Sequence, residues 1–188
     1  MNIKMEKFNY KNDFKKDEVK SLVGILSDMP LYLKESKQQN KKGSKILDPI
    51  ETNTYLKSKF KENSWLPKVR IPEEHSCLGT DIDFFKKGIV LEVQFSNYPF
   101  LSNNIIRTEK LYKSKTKFNS IEIQLLVIIT KGKTIPSSNS SLYYEQAVAQ
   151  INSFVEENII MMPILVIGFY SNDDRSYGTA TTLEHLFG

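Results

Sequence analysis

Four polar residues, Asp81, Asp83, Glu92 and Gln94, interrupt the apolar segment DIDFFKKGIVLEVQF. Glu92 and Gln94 are two apart, so a strand puts them on one face, and Asp83 on a facing strand brings its carboxylate beside Glu92. Two carboxylates so placed raise each other's pKa, and desolvation adds to the cost of burying them. A divalent cation removes that cost. Ligation by oxygen alone, from carboxylates, waters and a phosphate, suits Mg²⁺ rather than zinc. Alternatively, Glu92 and Gln94 lie on the solvent face of a half-exposed strand, with Asp83 at a turn. The run GIVLEVQF weighs against that disposition, because it otherwise reads as buried on both faces, where a functional site interrupts a core pattern.

The elements that must position these residues follow from periodicity. Ile82–Phe85 and Ile89–Phe95 flank Lys86, Lys87 and Gly88, which predicts an antiparallel hairpin. Before it, Phe14, Val19, Leu22, Val23, Ile25 and Leu26 recur at helical spacing and are closed by Pro30. Asp48 and Pro49 give an N-cap and a first-turn proline for a helix to about Glu62, with Glu51 placed to complete a capping box. Val69–Ile71 reads as a short strand. After the hairpin, Phe100 to about Lys115 forms a helical face, Ile121–Thr130 a buried strand, Ser141–Glu157 a helix, and Pro163–Tyr170 a second buried strand. The order describes an α/β sheet of mixed direction covered by helices.

Composition bounds the rest. The 188 residues, 40% hydrophobic and 26% charged, fit one domain with a sizeable core. We expect an N-terminal helical part over 1–48, a core over about 49–170 and a tail over 171–188. The longest apolar run, Ile159–Tyr170, is 12 residues, short of the roughly 18 to 20 that cross a bilayer. With no apolar leader at the N-terminus, the expectation is a cytoplasmic protein without a membrane partner. One cysteine, Cys77, and two histidines, His75 and His185, build neither an internal disulfide nor a cysteine/histidine zinc cage. Residues 1–70 carry 16 basic and 9 acidic groups, net +7, and the remainder sums to −3. That asymmetry suits a phosphate backbone as partner, while the run Lys34, Lys37, Lys41, Lys42 and Lys45 also reads as a solvated linker.

The order Asp83, eight intervening residues, then Glu92-Val93-Gln94 resembles the signature of the PD-(D/E)xK nuclease superfamily in its glutamine-ended variant. The segment DFFKKGIVLEVQFSN is similar, more closely, to the catalytic hairpin of the BglII-like restriction endonucleases. The proline that often precedes the aspartate is replaced by Ile82. The resemblance implies a restriction-endonuclease-like αβββαβ core, with a mixed central sheet flanked by helices. It also implies Mg²⁺-dependent hydrolysis of DNA phosphodiesters, with Asp83, Glu92 and the Val93 carbonyl holding the metal. Gln94 would orient water or the scissile phosphate, and the positive charge it lacks would come from a second metal, Lys68 or Arg70. Glu51 is either an extra ligand or the capping-box residue, and Asp81 is a substitute for Asp83.

In the group resembled, residues at two polar clusters approach bases, which makes Ser96, Asn97, Asn139 and Ser140 readout candidates, although Ser140 or Ser141 also suits a helix N-cap. Lys68, Arg70, Arg107, Lys110 and Lys113 are expected to touch phosphates. Cleavage of both strands implies a homodimer on a short palindromic site in double-stranded DNA, with GATC as its core and Phe100–Lys115 as the dimer helix. A junction or repair nuclease and an inactive DNA-binding module are the competing functions of the same core.

Overall fold

A computed structural model describes residues 1–11, 14–95 and 97–171. Its central sheet has the order β1-β10-β9-β6-β5-β4, built from β1 (Asn2–Phe8), β4 (Leu66–Arg70), β5 (Asp81–Lys86), β6 (Ile89–Val93), β9 (Leu125–Lys131) and β10 (Ile164–Tyr170). The strands β4, β5 and β6 form an antiparallel meander, β6, β9 and β10 run parallel, and β1 closes the far edge antiparallel to β10. Parallel neighbours need crossovers, and α3 (Pro99–Lys113) and α4 (Tyr144–Glu156) supply them. Both helices pack on one face through Leu101, Ile105, Ala147 and Ile151. The opposite face is covered by α1 (Lys16–Ser27) and α2 (Pro49–Glu62), through Val19, Leu22, Leu56 and Phe60. The molecule therefore has three layers, and β9 and β10, covered on both sides, are buried throughout.

The αβββαβ expectation holds from α2 to β10, and the differences lie at its margins. Residues 1–48 are not wholly helical. Asn2–Phe8 is a strand in register with the whole of β10, and β2 (Leu33–Glu35) pairs with β3 (Lys45–Leu47). The basic run read as a linker is thus the tip of a hairpin. The predicted strand Ile121–Thr130 is divided, Ile121–Glu122 (β8) pairing back on Lys117–Phe118 (β7) before β9 begins. The expected N-cap at Asp48 is present, its carboxylate accepting from Ile50 N at 2.9 Å. The expected tail falls, from residue 172 onward, outside the described residues.

Candidate active site

The site is built on the β5–β6 hairpin. Its turn is two residues long, Lys87 (φ 47°) and Gly88 (φ 84°), both left-handed, which matches the twist of the flanking strands. This fixes the register Lys86↔Ile89, Phe85↔Val90, Phe84↔Leu91. The next position across is Asp83 with Glu92, so the two carboxylates emerge side by side on the same end of the hairpin. Regular pairing stops there. On the other side of β5 the ladder runs Pro67↔Phe84 and Val69↔Ile82 without a Lys68–Asp83 pair, and Lys68 has a left-handed backbone (φ 48°). Ile82 packs into the α3/α4 face and Phe84 into the α1/α2 face, although a regular strand puts i and i+2 together. The chain is twisted at Asp83, and a side chain takes over where the ladder lapses: Val93 N donates to Asp83 Oδ2 at 2.9 Å.

The carboxyls of Asp83 and Glu92 lie close enough for each to act on the proton affinity of the other. Glu92 is 3% exposed, and burial together with the charge of Asp83 pushes its carboxyl up to about 8, against the opposing pull of Arg107. Burial also raises Asp83, with the Val93 amide and Arg107 acting against the rise. Such a pair favours keeping one proton near neutral pH. Arg107 Nη2 lies 2.5 Å from Glu92 Oε1. Asp83 also lines a cleft of about 250 Å³ on the α2 side, with Asn53, Lys57, Lys68 and Val93 in its wall. The pair is therefore anchored in the α3 layer and open toward two lysines.

Gln94 follows Glu92 on the same side. Its main-chain N–H continues the sheet by donating to Ile129 O at 2.9 Å, and its side-chain oxygen accepts from Asn104 Nδ2 at 3.3 Å. Its Nε2 donates to Asn97 O at 3.4 Å. Asn97, Asn139 and Ser140 are exposed, and Tyr98 N donates to Ser140 O at 3.3 Å, so the two polar clusters meet beside the hairpin. Ser96 lies outside the described residues. Neither Ser140 nor Ser141 caps α4, whose Tyr143 N is met by Gln146 Oε1 instead. The β2–β3 hairpin supports this loop: Leu47 N donates to Pro136 O, Lys41 Nζ to Ser137 O and Asn139 N to Gln38 Oε1.

Other assignments are corrected by the geometry. Arg107 is buried on Glu92 and is not an exposed phosphate contact. Lys110 donates to Cys77 Sγ at 3.1 Å and Lys113 pairs with Glu109 at 3.0 Å, although both belong to the outer side of α3. Glu51 is exposed in the first turn of α2, outside the cleft wall, where Asn53 and Lys57 stand instead. Asp81 is exposed, accepts from Thr80 Oγ1 and stands opposite the exposed Arg70, so it does not join the pair. Gly79 was missed. At φ 137° it takes a backbone that favours glycine, and a Cβ there would fall 2.7 Å from Arg107 Nη1.

The family model for "Restriction endonuclease BglII/BglIII" matches residues 10–169. The chain belongs to this family of restriction endonucleases. It is 40% identical over 183 residues to the type II restriction enzyme BglII of Bacillus subtilis, covering 97% of this chain and 82% of that protein. Two crystal structures of BglII are also similar, each at 39% identity. The complex with a DNA 16-mer gives a TM-score of 0.84 over 95% of this chain and 86% of the other. Free BglII gives 0.68 over 94% and 82%. The mixed sheet with helices on both faces is the fold of this restriction endonuclease family, with the Asp83–Glu92 pair at the open end of its hairpin.

Proposed function

We propose that the chain is a type II site-specific deoxyribonuclease that hydrolyses phosphodiester bonds in double-stranded DNA with Mg²⁺. The observation that carries this reading is the placement of Asp83 and Glu92 side by side at the end of the hairpin, beside a cleft that holds Lys57 and Lys68. Buried like charges gain from a hard cation in place of the retained proton. The donor set fits: two carboxylates and a main-chain carbonyl, Val93, leave positions for water and phosphate oxygens. Among the described residues no group of three or more His, Cys, Asp or Glu side chains converges. When bound, a divalent cation there polarises the phosphoryl oxygen and lowers the pKa of its water.

The protein's own groups do the remaining work. Lys57 and Lys68 draw the phosphate into the cleft. Arg107 holds Glu92 and supplies positive charge that Gln94, a neutral amide, lacks. Gln94, fixed by Asn104 and Asn97, orients the attacking water or the phosphate. Asn97, Asn139 and Ser140 face outward as donors and acceptors for base edges, with Ser96 beside them in sequence. Arg70 and the basic β2–β3 tip flank them for phosphates. Two copies related by the DNA dyad cut both strands of a short palindrome with GATC at its core.

Digestion of plasmid DNA tests this. Mg²⁺ is expected to give discrete, reproducible fragments that EDTA abolishes. Cleavage confined to branched or damaged DNA would transfer the chain to the structure-selective nucleases, and salt-sensitive binding without cleavage in Mg²⁺ or Mn²⁺ would leave only a binding module.

A further inference from the structure

Lys131 is 0% exposed, yet it ends the central strand β9 with a charged group. Its ammonium donates to Phe95 O at 2.6 Å and to Leu142 O at 2.9 Å. The rings of Tyr143 and Phe95 stand 5.1 and 5.9 Å from it and close it off from water. No carboxylate pairs with it among the described residues, and burial alone pushes it down to about 8. An unpaired buried charge is an expensive way to satisfy two carbonyls. The position of those carbonyls is what distinguishes this one. Phe95 directly follows Gln94 just past the end of β6, and Leu142 closes the loop that presents Asn139 and Ser140.

We propose that Lys131 is a positioning residue that couples the fit of the 137–142 loop on DNA to the placement of Gln94. This rests on the reading of that loop as a base reader. The segment after Gln94 also meets the loop through a longer bond, Tyr98 N to Ser140 O at 3.3 Å. Thr130 Oγ1 adds a 3.3 Å bond to Leu142 O from the same strand end. A loop displaced by a wrong base pair moves the Leu142 carbonyl. Through the short ammonium bridge the displacement reaches Phe95 and then the Gln94 amide. Discrimination is thereby carried into the chemical step as well as into binding.

The test is Lys131→Met, which keeps length and apolar contact and removes the donors and the charge. Its DNA affinity and melting temperature are expected to stay close to wild type. Its kcat at the preferred site is expected to fall by about 100-fold, the scale of a roughly 1 Å misplacement. The ratio of cleavage rates at that site and at a site altered by one base pair is expected to fall at least tenfold. A merely structural lysine would lower the melting temperature and leave that ratio and kcat alone, which overturns the proposal. If Lys131→Met does not fold, amide exchange on the wild type decides: with cognate DNA and Ca²⁺, amides 94–98 and 138–143 gain protection together, and protection of one group alone overturns the coupling. Asn139→Ala separates the underlying reading. If it leaves site preference unchanged, the loop is not the reader and the proposal falls with it. Altered preference there beside unchanged kcat and discrimination in Lys131→Met overturns the coupling alone.

Discussion

Asp83 and Glu92, the pair proposed to hold the cation, show how burying like charges side by side acts on the stability of the protein that carries them. Both carboxyls have folded values above their ordinary ones, so the folded state binds more protons than the unfolded chain. The stability this lends the metal-free protein is fully present below the ordinary carboxyl range and lost as pH rises toward about 8, where Glu92 titrates. Cation binding has the opposite sign, because the retained proton must leave first. Melting temperatures in EDTA are therefore expected to fall between pH 5.5 and 8.5, while the increment given by Ca²⁺ grows over the same range. Glu92→Gln is expected to flatten both trends and to abolish cleavage. A cation increment that ignores pH, or survives in Glu92→Gln, would remove the pair as the cation site. Gly79 offers an independent handle, since any Cβ there meets Arg107. Gly79→Ala is expected to lower stability by about 1 to 3 kcal/mol through backbone strain. Cleavage is expected to fall by more than that strain explains, because the guanidinium is displaced from Glu92. Activity retained at full level alongside a lowered melting temperature would show that the Arg107 contact is dispensable.

At the level of elements, the hairpin was legible because its chemistry and its periodicity coincide in one segment: Asp83 and Glu92 break an apolar alternation around the turn Lys87-Gly88. The helices α1, α2 and α4 followed from spacing, and the cap at Asp48 from side-chain chemistry. The first strand was not legible. Asn2–Phe8 has two charged residues in a row, Glu6 and Lys7, which a covered strand could not carry, and it exists because β10 offers an open edge. The basic run from Lys34 to Lys45 hides its hairpin likewise, because the strands are three residues each and are held partly by the 136–139 loop. Arg107 reads as a phosphate contact because charge normally stays in water, and nothing in the local pattern marks Lys131 for burial. Their roles arise from partners 15 and 36 residues away in sequence, Glu92 and Phe95, and no local pattern encodes such contacts. The bracing of the loop by Gln38 and Lys41 gives a prediction of its own. Gln38→Ala with Lys41→Ala is expected to weaken discrimination between sites with little effect on the melting temperature, measured by competition binding, and discrimination equal to wild type would show that the loop holds its shape unaided.

For the whole molecule, the question is how one cleft per chain severs two strands. The outer side of α3 and the segment before β10 expose Ile106 at 44%, Ile159 at 49% and Met161 at 58%, and Ile106 and Ile159 share a shallow groove with Lys110 and Lys113. Scattered exposed apolar groups are ordinary, but here Ile106 on α3 and Ile159 before β10 line one groove. A two-fold contact made by this surface would connect the two sites through α3, which also carries Arg107 and Asn104. An isologous contact there would fit the homodimer proposed above, in which a palindrome is met by two equivalent clefts. A charge at the centre of such a patch is unfavourable in the dimer and harmless in the monomer. Ile106→Glu is expected to yield a folded monomer in sedimentation at micromolar concentration and to convert plasmid cutting from linear product to slow nicking. The same variant remaining dimeric, with wild-type linearisation, would move the two-fold contact to another surface and leave α3 with its role inside the protomer alone.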